Sequence, residues 1–304
     1  MADNRSSRRG FLKGTVALAA LAAGGCSSSN NGQNTAFGDS VASFFQDHYQ
    51  TMTPDEIKEV LARVERKAKR AHGVDIKCEN SPPIANVEFG YVLNLSKCKG
   101  TRRCVEACVV ENNCGRNHSL ENIRVLAMPH GTMDLNKSDH FYDHKEVPKA
   151  GEWYLPVQCH QCDEPACVQA CPVEATWKEH DGIVVIDYDW CIGCRNCAVA
   201  CPYWARHFNW TTPILPKDEI NLKTHYLGNR PRESGVMEKC TFCIQRTRKG
   251  ELPACQEACP TGARIFGNLL DPNSEIRYIL ENKNVFRLKE EQGTQPNFWY
   301  FSDV

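Results

Sequence analysis

No Cys-x-x-Cys-His occurs anywhere in this chain, so it attaches no c-type haem of its own. After the first 25 residues no apolar run approaches the roughly 20 residues that a membrane-spanning helix needs. Neither sign of charge is in excess: 36 Lys and Arg stand against 37 Asp and Glu, a net charge of −1. That balance excludes a polybasic nucleic-acid surface. No nucleophile, acid–base pair or phosphate-cradling loop stands at a persuasive spacing. Lone histidines such as His160 and His207 read as structural hydrogen bonders. Cysteine is the exception to these scarcities. The chain of 304 residues has 18 of them, below the density of a small disulfide scaffold, and they cluster instead of scattering.

Fifteen of the 18 fall into four ordered groups. Group one is Cys98, Cys104 and Cys108, with Thr101 where a second cysteine should stand. Group two is Cys159, Cys162, Cys167 and Cys171. Group three is Cys191, Cys194, Cys197 and Cys201, the C-x2-C-x2-C-x3-C-P run of bacterial ferredoxins. Group four is Cys240, Cys243, Cys255 and Cys259. Thiolates are soft donors that hold iron and bridge it into clusters, so this spacing predicts electron transfer. Zinc is the rival metal, because C-x2-C pairs also build zinc ribbons. Three C-P-x-x-A repeats, at 171–175, 201–205 and 259–263, argue against it.

A cubane cluster wants four thiolates converging from different directions. In two-cluster ferredoxins the last cysteine of each motif serves the other cluster. Groups two and three then pair: one 4Fe–4S cluster takes Cys159, Cys162, Cys167 and Cys201, another Cys191, Cys194, Cys197 and Cys171. Groups one and four pair likewise, with Cys240, Cys243, Cys255 and Cys108 holding a third 4Fe–4S cluster. The fourth site has only Cys98, Cys104 and Cys259, because the Thr101 hydroxyl is a poor substitute for a thiolate. A 3Fe–4S cluster is expected there. The alternative is a fourth 4Fe–4S cluster completed by Cys114, Cys78 or an oxygen ligand. A helix from Val105 to Asn112 should carry Cys114 away. Lys99, Arg102 and Arg103 crowd this site, and positive charge favours the reduced form of a cluster.

The N-terminus reads as an address. Ser7-Arg8-Arg9-Gly10-Phe11-Leu12-Lys13 and the apolar run from Thr15 to Ala23 match a twin-arginine export signal over residues 1–25. That route moves folded protein, so clusters can be assembled before the thiols meet an oxidising compartment. Ala23-Gly24-Gly25-Cys26 resembles a lipobox, with Cys26 as the lipidated residue, and the alternative is a plain signal-peptidase site. Residues 26–40 form a Ser, Asn and Gly-rich tether. A helical segment occupies 41–86. In it Thr53, Pro54 and Glu56 make a capping box, Ile57, Val60, Leu61 and Val64 make one apolar stripe, and Gly73 stops the helix. That stripe is expected to pack on the chain's own core. The core, 87–304, begins with strands at Phe89–Leu93 and Ile123–Met128. A polar loop insertion at 129–152 carries His130, His140 and His144. A hairpin follows over 175–186, and a second insertion lies at 213–238. Tyr203, Trp204, Phe208 and Trp210 are expected in the core.

Lys239-Cys240-Thr241-Phe242-Cys243, the 11-residue gap to Cys255, and Cys259-Pro260-Thr261-Gly262-Ala263-Arg264 resemble the four-cluster ferredoxin-type subunits of membrane oxidoreductases. That family includes the polysulfide, tetrathionate, dimethyl sulfoxide and formate-type nitrite reductase systems. The resemblance covers residues 87–300 or so and departs at Thr101 and at Val109, which replaces a proline. It implies an α+β fold of tandem bacterial-ferredoxin-like halves with loop insertions, preceded by an N-terminal helix, with the clusters in a line. It also implies two partners. One is a polytopic quinone-reactive membrane subunit of polysulfide-reductase type, on the side of groups two and three. The other is a multihaem cytochrome c or a molybdopterin subunit, on the side of group one. The signal and the helix before the core resemble exported members that work with multihaem cytochromes or in alternative complex III. The expected role is thus a relay on the periplasmic side of the cytoplasmic membrane, without substrate chemistry of its own. Two rivals stay open: an iron–sulfur enzyme using the open site of the unusual cluster, and a structural assembly scaffold.

Overall fold

The computed structural model describes residues 52–117 and 120–303, which belong to one compact unit. The expected signal, Cys26, the tether and the start of the 41–86 segment lie outside the described residues. Helix α1 spans Pro54–His72. Its start is fixed by reciprocal bonds. The Thr53 hydroxyl accepts from the Glu56 N–H at 3.4 Å, and the Glu56 carboxylate accepts from the Thr53 N–H at 2.8 Å. Such a cap contributes about 1 kcal/mol. Gly73 ends the helix in the left-handed region at φ 70°. Val64 and Ala68 are buried in the main core, with Val60 and Leu61 packed against it. Arg63 pairs with Asp189 at 3.3 Å and Lys67 with Glu233 at 3.0 Å, so this face of α1 is committed to its own chain.

The largest sheet is organised by β2 (Phe89–Asn94), every residue of which is buried. Antiparallel β10 (Arg264–Asn268) lies on one side of it. Parallel β12 (Phe298–Phe301) lies on the other, with β11 (Val285–Phe286) beyond. Strand periodicity sorts the two faces. Phe89, Tyr91 and Leu93 enter the main core, while Val92 joins Ile265, Trp299 and Phe301 against the helix Glu275–Asn282. Each fully buried side chain of this size stabilises the fold by on the order of 2 kcal/mol.

Three antiparallel pairs and one parallel pair frame the cysteine groups. Strands β3 (Ile123–Pro129) and β4 (Glu152–Gln158) bracket the first insertion. Strands β5 (Thr176–Lys178) and β6 (Val184–Ile186) form the hairpin, with Gly182 at φ 82° in its turn. Strands β7 (His207–Phe208) and β9 (Met237–Glu238) close the second insertion. From inside that insertion β8 (Lys223–His225) runs parallel to β1 (Lys77–Glu79), tying it to the segment before the core.

Short helices surround the later cysteines of each group: α2 (Arg103–Glu111), α3 (Ala166–Gln169), α4 (Asn196–Ala200) and α6 (Ala254–Glu257), with α5 (Ile244–Thr247) after Cys243. Helix α2 packs on α6 and α3 on α4, so motifs one and four meet, as do two and three. Three of the four motifs end at Cys-Pro. Proline has no N–H to donate and disfavours helix at the residue before it. Val109 lifts that stop, and α2 runs on to Glu111. No helix among the described residues is long and apolar enough to cross a membrane.

Candidate metal centres

All four motifs wrap in the same way. The residue before the second ligand position has positive φ in every one: Gly100 at 73°, Gln161 at 46°, Gly193 at 71° and Phe242 at 52°. Left-handed backbone costs a non-glycine residue about 1 kcal/mol, which the surroundings must offset. Gln161 is held by its amide donating to the Cys240 carbonyl at 2.8 Å and accepting from the Val184 N–H at 2.8 Å. Phe242 is held by rings, 5.7 Å from Tyr91 and 5.4 Å from Phe266. The glycines sit where a Cβ would collide with the Tyr154 ring (Gly100) or the Gly235 carbonyl (Gly193). The glycines are readable as turn formers, whereas nothing in the sequence marks Gln161 and Phe242.

These turns bring together the cysteines of different motifs. Cys159, Cys162, Cys167 and Cys201 line one cavity with Tyr203 and Arg206, of about 360 Å3 including space open to solvent. Cys171, Cys191, Cys194 and Cys197 line a second, of about 260 Å3. Cys98, Cys104 and Cys259 line a third of about 350 Å3, and Thr101 is in its wall with Lys99, Arg102 and Arg264. The remaining four, Cys108, Cys240, Cys243 and Cys255, are all buried, and the Asn112 amide donates to both Cys108 Sγ at 3.4 Å and Cys243 Sγ at 3.6 Å. Each set draws its residues from one motif and one from that motif's partner. Among the described residues no three His, Cys, Asp or Glu converge as ligands of a single metal ion. The cysteines line the walls of cavities, a geometry suited to a cluster more than to one zinc.

The chemistry of the sets fits the same group. Burial, with neighbouring cysteines adding to it, pushes Cys162 and Cys240 up to about 12 and Cys98 to about 11. Cys108 and Cys243 lie well above the usual thiol value for the same reason. Thiols so placed become thiolates only beside a cation, and iron supplies one. Cys259 is the exception. Burial opposes ionisation, but the Thr261 hydroxyl and N–H, the Ala263 N–H and Arg264 together hold it below the usual value.

The geometry bears out some expectations and shifts others. Cys114 does not approach the open site. The extended α2 delivers it, fully buried, beside Cys108 and Cys243, with the Asn122 amide on its sulfur at 3.5 Å. Cys78 is buried in β1 against Thr224 and lines none of the three cavities. Of the three expected cations, Arg103 stays exposed near Glu106, and Arg102 is neutralised by Glu121 at 2.6 Å. Lys99 lines the cavity but is exposed, and the buried charge there without a carboxylate partner among the described residues is Arg264, which composition and spacing alone do not single out. Arg206 holds the matching place near group two. The repeat contains the signal, since both arginines directly follow a C-P-x-x-A segment. Of the four aromatic residues after group three, Tyr203 is buried as expected. Trp204 is 49% and Trp210 63% exposed, which corrects their assignment to the core. His160 is fully buried between Tyr203 and Phe298, and burial holds it neutral by lowering it to about 3.

Comparison with known proteins agrees with the cysteine pattern. The family pattern described as "4Fe-4S dicluster domain" matches residues 151–232 and 227–269, so groups two to four are inside it and group one outside. The chain is 33% identical to a selenate reductase subunit of Mesobacillus selenatarsenatis, over 98% of this chain and 97% of that one. It is 38% identical to the menaquinone reductase iron–sulfur cluster-binding subunit of Nitratidesulfovibrio vulgaris, over 71% of this chain and 89% of the relative. Against the Hdr-like menaquinol oxidoreductase iron–sulfur subunit 1 of Archaeoglobus fulgidus the identity is 42%, over 65% and 71%.

Proposed function

We propose, from the premise that this chain belongs to the family of ferredoxin-type iron–sulfur subunits of oxidoreductase complexes, that it relays single electrons between a quinone-reactive membrane subunit and a second redox partner on the periplasmic side. The carrying observation is the crossed make-up of the cysteine sets, in which each motif lends its last cysteine to its partner's set. Cys159, Cys162, Cys167 and Cys201 would hold one 4Fe–4S cluster. Cys191, Cys194, Cys197 and Cys171 would hold a second, and Cys240, Cys243, Cys255 and Cys108 a third. Cys98, Cys104 and Cys259 would hold a 3Fe–4S cluster with Thr101 at the vacant corner. Bound iron–sulfur clusters accept and give single electrons without making or breaking substrate bonds. What the protein contributes is two ferredoxin-like halves, dry surroundings and fixed spacing.

The quinone side of the proposal draws on the relatives named for menaquinone and menaquinol, and on one face of this chain. Around group three, Cys194 is exposed with Ile192 (46%) in the same cavity wall, Trp210 (63%) lies against Arg195, and Val199 (89%) is exposed on α4. An apolar rim around an accessible ligand suits a permanent protein contact. Export by the twin-arginine route, with Cys26 as lipid anchor, would place the relay at the outer membrane–water boundary of the cytoplasmic membrane.

The test is to purify the native complex anaerobically in mild detergent and to measure iron, sulfide, haem c and molybdenum per chain. About 15 iron atoms per chain are expected from three cubanes and one three-iron cluster. Zinc in place of iron, or clusters that quinol does not reduce in the intact complex, would overturn the reading. Haem without molybdenum would make the far partner a cytochrome, and molybdenum would make it a molybdopterin enzyme. The mass of the mature N-terminus tests the acylated Cys26.

A further inference from the structure

Arg206 and Arg264 stand five residues after the last cysteine of groups three and four, and the same step from groups one and two lands on Asn113 and Thr176. Each half therefore contains one such arginine. Arg206, 5% exposed, donates to Cys167 Sγ at 3.0 Å and to Thr176 Oγ1 at 3.0 Å. Its Nε and Nη1 have no partner in the protein. It lines the Cys159–Cys162–Cys167–Cys201 cavity, and its charge also reaches Cys197 of the adjoining set.

Arg264, 3% exposed, lines the Cys98–Cys104–Cys259 cavity. It donates to Gln158 Oε1 at 2.7 Å and lies 5.8 Å from the centre of the Tyr91 ring. The Tyr91 hydroxyl is 3.5 Å from Cys255 Sγ, a member of the adjoining set. One terminal nitrogen, Nη2, is again left without a partner.

Other buried arginines are neutralised: Arg232 meets Glu238 at 3.1 Å and Arg248 meets Asp181 at 2.8 Å. Among the described residues neither Arg206 nor Arg264 forms an ion pair with a carboxylate. An unpaired buried guanidinium is costly, and its unmet N–H groups require an anion. The anions available in these places are the thiolate sets and what they bind.

We propose that Arg206 and Arg264 are shared counter-charges, one per half, each placed between two cysteine sets so as to raise and couple the potentials of the two clusters there. Reduction adds one negative charge to a cluster, and a fixed cation a few ångströms away in a dry interior favours that state. The two residues act through the clusters' charge and position no substrate. This rests on the cluster reading above.

The experiment is an EPR-monitored redox titration of the native complex carrying Arg206→Gln, Arg206→Lys, Arg264→Gln or Arg264→Lys. Each Gln variant should lower the reduced-to-oxidised ratio of its own half's clusters at least tenfold at fixed potential, equivalent to about 59 mV for one electron. The other half should move less than about twofold. The three-iron signal reports the half of Arg264, and the Lys variants should recover most of the shift. Unchanged potentials, or equal shifts in both halves, would overturn the proposal. Should a Gln variant come out without iron, the Lys variant decides. Iron retained with Lys supports a charge role, while iron lost from both makes the arginine a packing element and ends the proposal. Iron and sulfide content of the wild type reports on the cluster reading separately, before any variant is compared.

Discussion

The loops of groups one and three have nearly the same backbone and differ in one donor atom. Cys98-Lys99-Gly100-Thr101-Arg102 and Cys191-Ile192-Gly193-Cys194-Arg195 put their glycines at φ 73° and 71° and their arginines at 55° and 67°. Thr101 thus occupies the place of Cys194 in space as well as in sequence, and it faces a cavity in the same way. Threonine in place of cysteine has not unwound the loop. Its geometry is held by things other than a metal bond: a glycine against the Tyr154 ring, and a helix begun at Arg102. What differs is the surroundings. The group-one site is enclosed by ion-paired Arg102 and buried Arg264, while group three leaves Cys194 exposed among apolar side chains. Frame and side chain are separable: one backbone carries a thiol in group three and a hydroxyl in group one.

The largest effect should come from breaking the frame. Gln161 and Phe242 show that positive φ alone is tolerated in these loops, so an alanine in place of glycine is penalised mainly by collision. Gly193→Ala meets a backbone carbonyl, and Gly100→Ala meets a fully buried ring. Each should cost about 3 kcal/mol or more and lower iron retention, read by thermal unfolding and metal analysis. A loss under about 1 kcal/mol at both would mean the loops are held by the clusters themselves. Exchanging the ligand on an intact frame comes next. Thr101→Cys should add about one iron per chain and remove the three-iron signal of the oxidised protein, with unfolding little changed. Cys194→Thr should do the reverse at group three. If Thr101→Cys leaves the spectrum as it was, the open site is not a three-iron site with a vacant corner.

The cysteine sets and their crossing are legible in the sequence because cluster-type motifs leave few spacings open, and the three cavities are lined by the sets those spacings imply. The ends of α1 are legible for an equally local reason, since Thr53, Glu56 and Gly73 act through bonds within one turn. Long-range matters are not. Pairing of β1 with β8 joins residues 77–79 to 223–225, and no local pattern announces it. The Glu121 partner of Arg102 lies on another segment, so along the chain the arginines around Thr101 look like free charge although one is neutralised. Arg206 and Arg264 are hidden for a different reason. A lone arginine after a motif looks like surface until its burial is known. Val109 is visible as a missing proline, but its consequence depends on how far the released helix runs. That helix carries Cys114 beside the group-four set.

The smallest expected effect separates the two loop arginines, Arg102 and Arg195. Both have left-handed backbone, so truncation to alanine carries the same conformational cost in each and the difference reports side-chain partners alone. The Arg102 guanidinium gives two bonds to Glu121, both 2.6 Å, and one to the His140 carbonyl at 3.2 Å, in a site 14–20% exposed. Removing it leaves a largely buried carboxylate without its cation, and Arg102→Ala should cost about 2 kcal/mol. Arg195 lies 4.7 Å from the Trp210 ring and 5.5 Å from Phe208, at an exposed edge. Cation–π contacts there contribute about 0.5–1 kcal/mol, so Arg195→Ala should cost at most half as much. Adding Glu121→Gln to Arg102→Ala should recover part of the loss, because the stranded charge goes with it. Equal costs for the two alanine variants, or no recovery in the double variant, would show that Glu121 is already solvated. The contrast between an enclosed group-one site and an open group-three site would then rest on Arg264 and Lys99.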